Sequence, residues 1–276
     1  MRASRAFTAL VMALGVITVE PALPDYEADA APPARAYYAS TRGNDRDAGS
    51  IARPWRTLQF ALDRLGPGDT LFVRGGTYFE RLTASVHGTP GAPIVVRSYP
   101  GERAVLDSGT PEFRAAGNRD WELTDPALGE YRSARAFSHG NIYAYVSGVR
   151  GYENERVVLV PYTSAAAFRA ATDQYVDAST PFYVGPGTLW DPRDRRIHIR
   201  LAKTRDLRFA ESRYGTVFAA DRPDPRQFAI ILSQADATLT VTGAHLIFKD
   251  LTVDQALKSI LLTSRAHHIV FDGVTV

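Results

Sequence analysis

Short apolar segments separated by glycine- and proline-rich corners dominate the first part of the chain. The alternation of apolar and polar positions predicts strands over residues 70–73, 81–85, 93–98 and 104–107. Each segment is only four to six residues long, and glycine or proline lies between successive segments. The pattern therefore predicts many short strands and sharp turns, which indicates an all-β fold.

A helix is predicted just before these strands. Its apolar residues follow the i, i+3, i+4, i+7 spacing of a single helical stripe and are Leu58, Ala61, Leu62 and Leu65. Thr57 is the expected N-cap, and the Gly-Pro-Gly sequence at 66–68 ends the helix. A stack of parallel strands exposes apolar side chains and an unpaired edge at its end. An amphipathic helix at this place is suited to cover both.

A repeat marks the other end of the chain. The sequence FKDLTV at 248–253 returns as FDGVTV at 271–276, an offset of 23 residues, with another short apolar strand predicted at 259–263. Three strands in 23 residues are typical of one triangular coil of a parallel β-helix. An antiparallel meander with two similar hairpins is the alternative.

The middle of the chain has a different pattern, because the short period disappears between residues 111 and 226. Longer alternating segments predict strands at 141–149 and 156–162, and Ser164 is placed to cap a short helix. Residues 182–201 form a hairpin pattern with a proline- and aspartate-containing turn. These features predict a β-rich insertion within the coils.

Three sequence segments carry a family resemblance. YASTRGND at 38–45, PWRTL at 54–58 and GPGDTLFVRGGTY at 66–78 resemble the N-terminal module of right-handed parallel β-helix proteins of the pectin-lyase-like superfamily. The 182–201 hairpin is similar to the insertion of some β-helix glycosidases. The resemblance implies an exported bacterial protein that acts on a polysaccharide as a lyase or a glycoside hydrolase, with Ca²⁺ as a possible cofactor. A non-catalytic surface or matrix protein that binds glycans, like an adhesin, is the alternative, and a uronate epimerase is a third.

The expected fold is a right-handed parallel β-helix with an N-terminal capping helix and an inserted β-rich subdomain. The predicted organisation is a signal peptide at 1–30, a linker at 31–36, cap and first coils at 37–110, the insertion at 111–226, and further coils at 227–276. Arg2 and Arg5 precede an apolar run at 6–19, as in signal peptides. We therefore expect a secreted or periplasmic protein. Because the repeat stops at Val276 without a closing segment, we also expect the chain to be a truncated fragment.

Composition narrows the classes of function. The chain has a formal net charge of +2, which gives no basic footprint for nucleic acid, and it has no cysteine for disulfides or thiolate metal sites. After signal-peptide removal no segment is predicted to span a membrane. We expect a monomeric full-length protein whose partner is a polysaccharide.

Candidate chemical residues are few, and none is nominated as catalytic. The resemblance places the catalytic residues on central coils, beyond Val276. On a regular strand His267 and His268 face opposite sides, which disfavours a shared metal ion and favours solvated or stacking positions. The alternative is that either His267 or His268 projects from the coil as a general base or a metal ligand. His245, one coil earlier, is expected to stack near His267.

Other polar and aromatic candidates have structural explanations. Asp250 and Asp272 are expected to turn the chain rather than to bind calcium, which needs several converging oxygens. Asp254 and Lys258 are a possible acid–base pair, although a solvated loop is favoured. Possible sugar-stacking aromatic residues are Tyr37, Tyr38, Trp55, Trp121 and Trp190. Trp55 is expected to be a packing residue beside the cap, and Trp190 is expected to anchor the hairpin.

Overall fold

The computed structural model describes residues 35–141, 143–147, 149, 156–170, 181–201, 218, 222–254 and 258–276. These residues belong to the unit Pro33–Val276. The predicted signal peptide at 1–30 and most of the predicted linker at 31–36 lie outside the described residues.

Strands make up most of the described structure. The first group is β1 (Ala36–Ala39), β2 (Thr70–Val73), β3 (Gly76–Phe79), β4 (Leu82–Ala84), β5 (Ile94–Ser98) and β6 (Ala104–Asp107). The second group is β7 (Trp121–Asp125), β8 (Glu130–Ser133), β9 (Tyr143–Ser147), β10 (Val157–Val158), β11 (Val160–Tyr162), β12 (Gly187–Asp191), β13 (Arg196–Arg200) and β14 (Ala229–Ser233). The third group is β15 (Ala237–Val241), β16 (Ala244–Lys249), β17 (Leu251–Asp254), β18 (Lys258–Leu262) and β19 (His267–Asp272). The α-helices are α1 (Leu58–Leu62) and α2 (Ala165–Arg169), and 3₁₀ turns lie at Pro111–Phe113 and Pro225–Gln227.

The first and third groups form three parallel sheets that the chain visits in turn. Their strand orders are β1-β2-β5-β16-β19, β3-β6-β17 and β4-β15-β18, and every pairing within them is parallel. Each circuit through the three sheets is one coil. The predicted all-β fold, a parallel β-helix with an inserted subdomain, is confirmed.

A column of stacked side chains fills the interior of the coils. The register places Leu71 beside Val96, Val96 beside Phe248, and Phe248 beside Phe271. The rings of Phe248 and Phe271 stack with centroids 5.3 Å apart. Since equivalent positions of successive coils meet directly, an apolar residue in one coil is packed against an apolar residue in the next.

Helix α1 covers the free edge of β4. It buries Leu58, Ala61 and Leu62 against the coils. The side-chain amide of Gln59 accepts a hydrogen bond from the Thr83 backbone N–H at 2.8 Å and donates to the Thr83 carbonyl at 3.1 Å. The amide therefore pairs with the strand edge as a neighbouring strand would. The predicted capping role of the helix is confirmed.

The predicted N-cap position of α1 is confirmed, but a different side chain accepts the hydrogen bonds. Thr57 occupies the N-cap position without making a side-chain cap, and its hydroxyl instead donates to Asp45 at 2.8 Å. The Glu80 carboxylate accepts from the backbone N–H groups of Leu58 and Gln59 at 2.8 and 3.1 Å. A charged acceptor from the next coil outcompetes the local hydroxyl, because it satisfies two unpaired donors and carries the charge that a helix N-terminus favours.

Replacing Glu80 with alanine is expected to lower the free energy of unfolding by about 1 kcal/mol, the typical value of a helix cap. Urea unfolding followed by circular dichroism measures the change. Glu80→Gln keeps acceptor oxygen and should recover part of the loss. Equal stability of Glu80→Ala and the wild type would show that water caps this helix equally well.

The second group of strands forms the insertion, which leaves the coils after β6 and returns before β15. Its sheets, β11-β12-β13-β8-β7 and β10-β9-β14, are mainly antiparallel. Its separate core includes Phe113 stacked on Trp121, with centroids 4.3 Å apart. The predicted cap Ser164 is confirmed, since its hydroxyl accepts from Ala167 N.

The two ends of the insertion are joined. The Thr110 N–H donates to the Leu232 carbonyl at 2.7 Å, and Gly109 and Ser233 form an antiparallel bridge. Strand β14, which the predicted organisation assigns to the coils, pairs antiparallel with β9 inside the insertion.

The described α-helices are five residues long, and none has the length and apolar composition needed to cross a bilayer.

Candidate functional site

Two aspartates lie side by side where the insertion leaves the coils. Asp107 ends β6 and Asp254 ends β17, and the parallel register pairs them directly. Neighbouring strands are about 4.8 Å apart, so the two side chains begin from adjacent positions. Phe79, at the end of β3, occupies the same position in the preceding coil. We call Phe79, Asp107, Asp254 and the arginines that contact the aspartates the junction site.

Asp107 is the inner member of this site. Its side chain is 4% exposed, and its carboxylate accepts from the Gly109 N–H at 2.7 Å and forms an ion pair with Arg114. Burial raises the pKa of Asp107 above its ordinary value despite Arg114, and the nearby Asp254 adds to the increase. An added Cβ on Gly109 would lie 2.5 Å from the Arg114 guanidinium and 2.9 Å from Oδ1 of Asp107, so a larger residue here would displace this ion pair.

Asp254 is the outer member, with a side chain that is 31% exposed. Its carboxylate lies 3.4 Å from Nη2 of Arg156, which comes from the insertion. The Asp254 backbone carbonyl accepts from the Thr238 hydroxyl at 2.6 Å. A row of hydroxyls continues to Ser108 and Ser233, at 2.9 and 3.0 Å. The insertion and three strands of the coils thus fix the position of this carboxylate.

Aromatic rings flank the two ion pairs. Phe79 is 41% exposed, and the Arg114 guanidinium carbon lies 5.6 Å from its ring centroid. Arg156 lies 5.1 Å from the ring of Tyr145, which contacts Tyr143 at 5.6 Å. Carboxylates and guanidinium groups beside aromatic faces can hydrogen-bond sugar hydroxyls and cover the apolar face of a sugar ring.

The junction site does not fit the Ca²⁺ that the family resemblance implies. Calcium takes six to eight oxygen ligands. Here each aspartate is paired with an arginine, which already supplies the compensating positive charge. Among the described residues, one group of three potential metal ligands lies close together, and it consists of histidines without a carboxylate.

The two residues of the possible acid–base pair, Asp254 and Lys258, have other ionic partners in the structure. Lys258 instead lies 3.2 Å from Asp236, and Asp254 faces Arg156. Asp107, the register partner of Asp254, was missed by the sequence analysis. A signal existed, since AVLD at 104–107 and LTVD at 251–254 are strands of the same pattern that end in aspartate. The insertion separates them by 147 residues and hides their relation.

One of the two predicted turn aspartates does turn the chain. Asp250 links β16 to β17 with a left-handed φ of 56°, and it pairs with Arg97 at 3.2 Å. Asp272 lies within β19 at the register of Lys249, to which it pairs at 2.9 Å, so its predicted turn role is wrong. Gly273, with φ of 62°, follows β19 as Asp250 follows β16.

The expectation that His267 and His268 face opposite sides is also wrong. Their Nδ1 atoms are 2.8 Å apart, and His245 stacks on His268 with centroids 4.5 Å apart. The expected proximity of His245 and His267 is confirmed at 5.5 Å. Strand alternation fails because His245 and His268 have left-handed φ values of 52° and 54°. Desolvation and the two neighbouring imidazoles lower the pKa of His245.

The aromatic candidates are mostly packing residues. Trp55 is buried and stacks on Tyr37 at 4.8 Å, which confirms its packing role. Trp121 lies in the insertion core, and Trp190 donates to the Phe137 carbonyl, which confirms that it anchors the hairpin. Tyr38 stacks on Phe72 on the outer side of its sheet.

A charged network within the insertion was not predicted. Glu130, 2% exposed, accepts from Arg169 and lies 2.6 Å from Nδ1 of His198. Nε2 of His198 lies 3.1 Å from Asp194. The network joins β8, β13 and α2, so we assign it a structural role.

The first part of the chain is similar to a known family of β-helix proteins. Residues 37–161 match the family model described as the Pel9A-like right-handed β-helix region. This part of the chain is similar to that family. The match covers the described strands of the first coils and the first part of the insertion, and it confirms the predicted right-handed β-helix.

Two curated proteins are each similar to a segment of the chain. Pectate lyase PEL9 of Emericella nidulans is 39% identical over 80 residues, which are 27% of this chain and 20% of that protein. The uncharacterized protein YwoF of Bacillus subtilis is 39% identical over 69 residues, 25% of this chain and 15% of that protein. The matched segments thus span a fifth or less of these relatives.

A solved structure extends the similarity of fold. The complex of XylC with xylose superposes with a TM-score of 0.52 at 13% identity, covering 81% of this chain and 36% of that chain. At this identity the similarity shows the fold alone.

Proposed function

We propose that this protein is an exported carbohydrate-active β-helix protein that cleaves an extracellular polysaccharide, as a lyase or as a glycoside hydrolase. The main support for this proposal is the junction site, in which Asp107 and Asp254 are paired in register and flanked by arginines and aromatic rings. The 39% identity to a pectate lyase supports a sugar polymer as substrate. The apolar run at 6–19, which Arg2 and Arg5 precede, supports export to the periplasm or the medium.

Within this proposal the two aspartates have different tasks. Asp254, which is partly exposed, binds sugar hydroxyls together with Arg156. Asp107 is a positioning residue, because its buried carboxylate holds Arg114 and the turn at Gly109. Phe79 provides an exposed ring beside them. We therefore assign substrate binding, and not bond cleavage, to this site.

The reaction is tested with the complete gene product on pectins, alginate, glycosaminoglycans and neutral glycans. A lyase produces the ultraviolet absorbance of unsaturated uronates, whereas a hydrolase produces reducing ends without that absorbance. Affinity electrophoresis on the same polysaccharides detects binding alone. Binding without turnover would replace the enzyme proposal with a glycan-binding protein, and the absence of both would overturn the carbohydrate proposal.

Asp254→Asn is expected to weaken polysaccharide binding by about tenfold or more, since a hydrogen bond to a charged group contributes about 1.5–3 kcal/mol. The matched control is Asp272→Asn, which removes another carboxylate from an ion pair at the end of a strand in a different sheet. Affinity electrophoresis and KM measure the change. An equal effect of both substitutions would contradict binding at the junction site.

A further inference from the structure

Two histidines occupy the same outward position in successive coils. His245 lies between Ala244 and Leu246 of β16, and His268 lies between their register partners His267 and Ile269 of β19. Both have left-handed backbone conformations, with φ of 52° and 54°. The register is therefore regular on either side of an irregular position that both coils share.

The left-handed conformation is unusual for these residues. Residues other than glycine rarely adopt it, and it costs about 1–2 kcal/mol. Glycine would avoid this cost, yet histidine is present at both positions. Strain of this kind persists where the surrounding structure enforces it, and it is concentrated at functional sites. At His268 it directs the imidazole towards His267 instead of the opposite side of the strand.

The result is a group of three imidazoles, which we call the histidine triplet: His245, His267 and His268. One nitrogen from each lies within 4.8 Å of the others, and Nδ1 of His267 is 2.8 Å from Nδ1 of His268. Two nitrogens that bind one tetrahedral Zn²⁺ at about 2.0–2.1 Å are separated by about 3.3 Å, so the closest pair would have to move apart by only about 0.5 Å. Small side-chain rotations would bring in the third nitrogen.

We propose that the histidine triplet binds one divalent transition-metal ion of the Zn²⁺ class and thereby links two successive coils. Neutral imidazole nitrogens are good ligands for zinc, copper and nickel, whereas calcium and magnesium prefer oxygen. Three histidines leave a fourth position of a tetrahedral ion open to water. His267 and His268 are exposed and His245 is partly exposed, so an ion can reach them from solvent.

The ion is tested directly with Zn²⁺ on protein purified without a histidine tag. Calorimetry should show one bound ion, and Zn²⁺ should raise the melting temperature. Ca²⁺ should do neither. Co²⁺ provides a spectroscopic test on the wild-type protein, since nitrogen ligands change its visible absorption and Zn²⁺ should reverse the change. A Co²⁺ spectrum equal to that in buffer would overturn the proposal.

Substitutions at the triplet locate the site. Asparagine tolerates the left-handed conformation, so His245→Asn and His268→Asn remove a ligand while keeping the turn. His267→Gln removes the third ligand at a position that does not have a left-handed backbone conformation. Loss of an outer-shell partner costs a metal site about 10–100-fold in affinity, so each ligand substitution should cost at least about tenfold. His139→Asn, at an exposed histidine of the insertion, is the control and should bind normally.

Misfolding is excluded by a separate variant. His268→Gly relieves the left-handed strain, so without metal its melting temperature should equal or exceed that of the wild type, while Zn²⁺ should no longer raise it. Unchanged Zn²⁺ affinity in all the triplet variants, or an equal loss in His139→Asn, would overturn the assignment. None of these measurements depends on polysaccharide cleavage, so they stand or fall separately from the proposed function.

Discussion

Glu130→Gln is expected to destabilise the protein by about 3 kcal/mol at neutral pH, the lower part of the range for breaking a buried ion pair. The Glu130 carboxylate is 2% exposed, and hydrogen bonds join it to His198 and to two nitrogens of Arg169. Glutamine keeps one acceptor oxygen but removes the charge that compensates the guanidinium. Urea unfolding at pH 7 measures the loss.

The same interaction predicts acid sensitivity. Burial alone would raise the pKa of Glu130, but the hydrogen bonds and charges of His198 and Arg169 overcome it and lower the pKa to about 2. The ordinary value is 4.5. Because the folded-state pKa is the lower one, the stabilisation is complete above about pH 4.5 and is lost as the pH falls towards 2. Glu130→Gln should therefore flatten the decline in unfolding free energy over this range.

The control for Glu130 is Glu102→Gln. Glu102 also accepts from two nitrogens of an arginine, Arg74, but its side chain is 29% exposed and Arg74 is 37% exposed. Solvent screening makes the contribution of such an exposed pair much smaller than that of a buried pair. Similar losses for the two substitutions, or an unchanged pH profile in Glu130→Gln, would contradict the assigned role of the buried network.

Gly243→Ala is expected to have an effect of similar size by separating two coils. A Cβ at Gly243 would lie 1.9 Å from the carbonyl oxygen of Val86, which is a backbone atom of the preceding coil. The clash cannot be relieved by rotating a side chain, so the backbone must move and the hydrogen bond from Gly243 N–H to Ala84 must lengthen. Overpacking of this kind costs about 1–3 kcal/mol, and we expect the upper value.

A loss of about 3 kcal/mol corresponds to a melting temperature lower by about 6–12 °C in a protein of this size. Thermal unfolding followed by circular dichroism provides the measurement. Gly91→Ala is the control, because an added Cβ there has no neighbour within 4 Å. If both substitutions leave the melting temperature unchanged, the close approach of the coils at Gly243 is not required for stability.

The sequence predicted those parts of the fold that are determined by neighbouring residues. Strands β2 and β6 have the predicted bounds, 70–73 and 104–107, because apolar alternation and adjacent glycines are local signals. The buried stripe of α1 follows from its helical spacing. Thr57 was predicted correctly as the N-cap residue of α1, but the side-chain acceptor, Glu80, comes from the next coil, and nothing near Thr57 reveals it.

The candidate sites were harder to predict, for two physical reasons. Asp107 and Asp254 become neighbours only through coil stacking across an insertion, so their relation depends on the register. The histidine triplet depends on a backbone conformation that sequence alternation does not anticipate, because a left-handed φ is normally indicated by glycine or asparagine. Side-chain direction therefore requires the coordinates.

The pairing of the Gln59 amide with the edge of β4 gives the solenoid a direction of growth. An edge already hydrogen-bonded to a side chain cannot accept a further strand, so each new coil adds to the opposite face. Synthesis also proceeds from this end, and N-terminal segments fold first as they leave the ribosome. The completed first coils can then act as a template on which later coils assemble in the order of their translation.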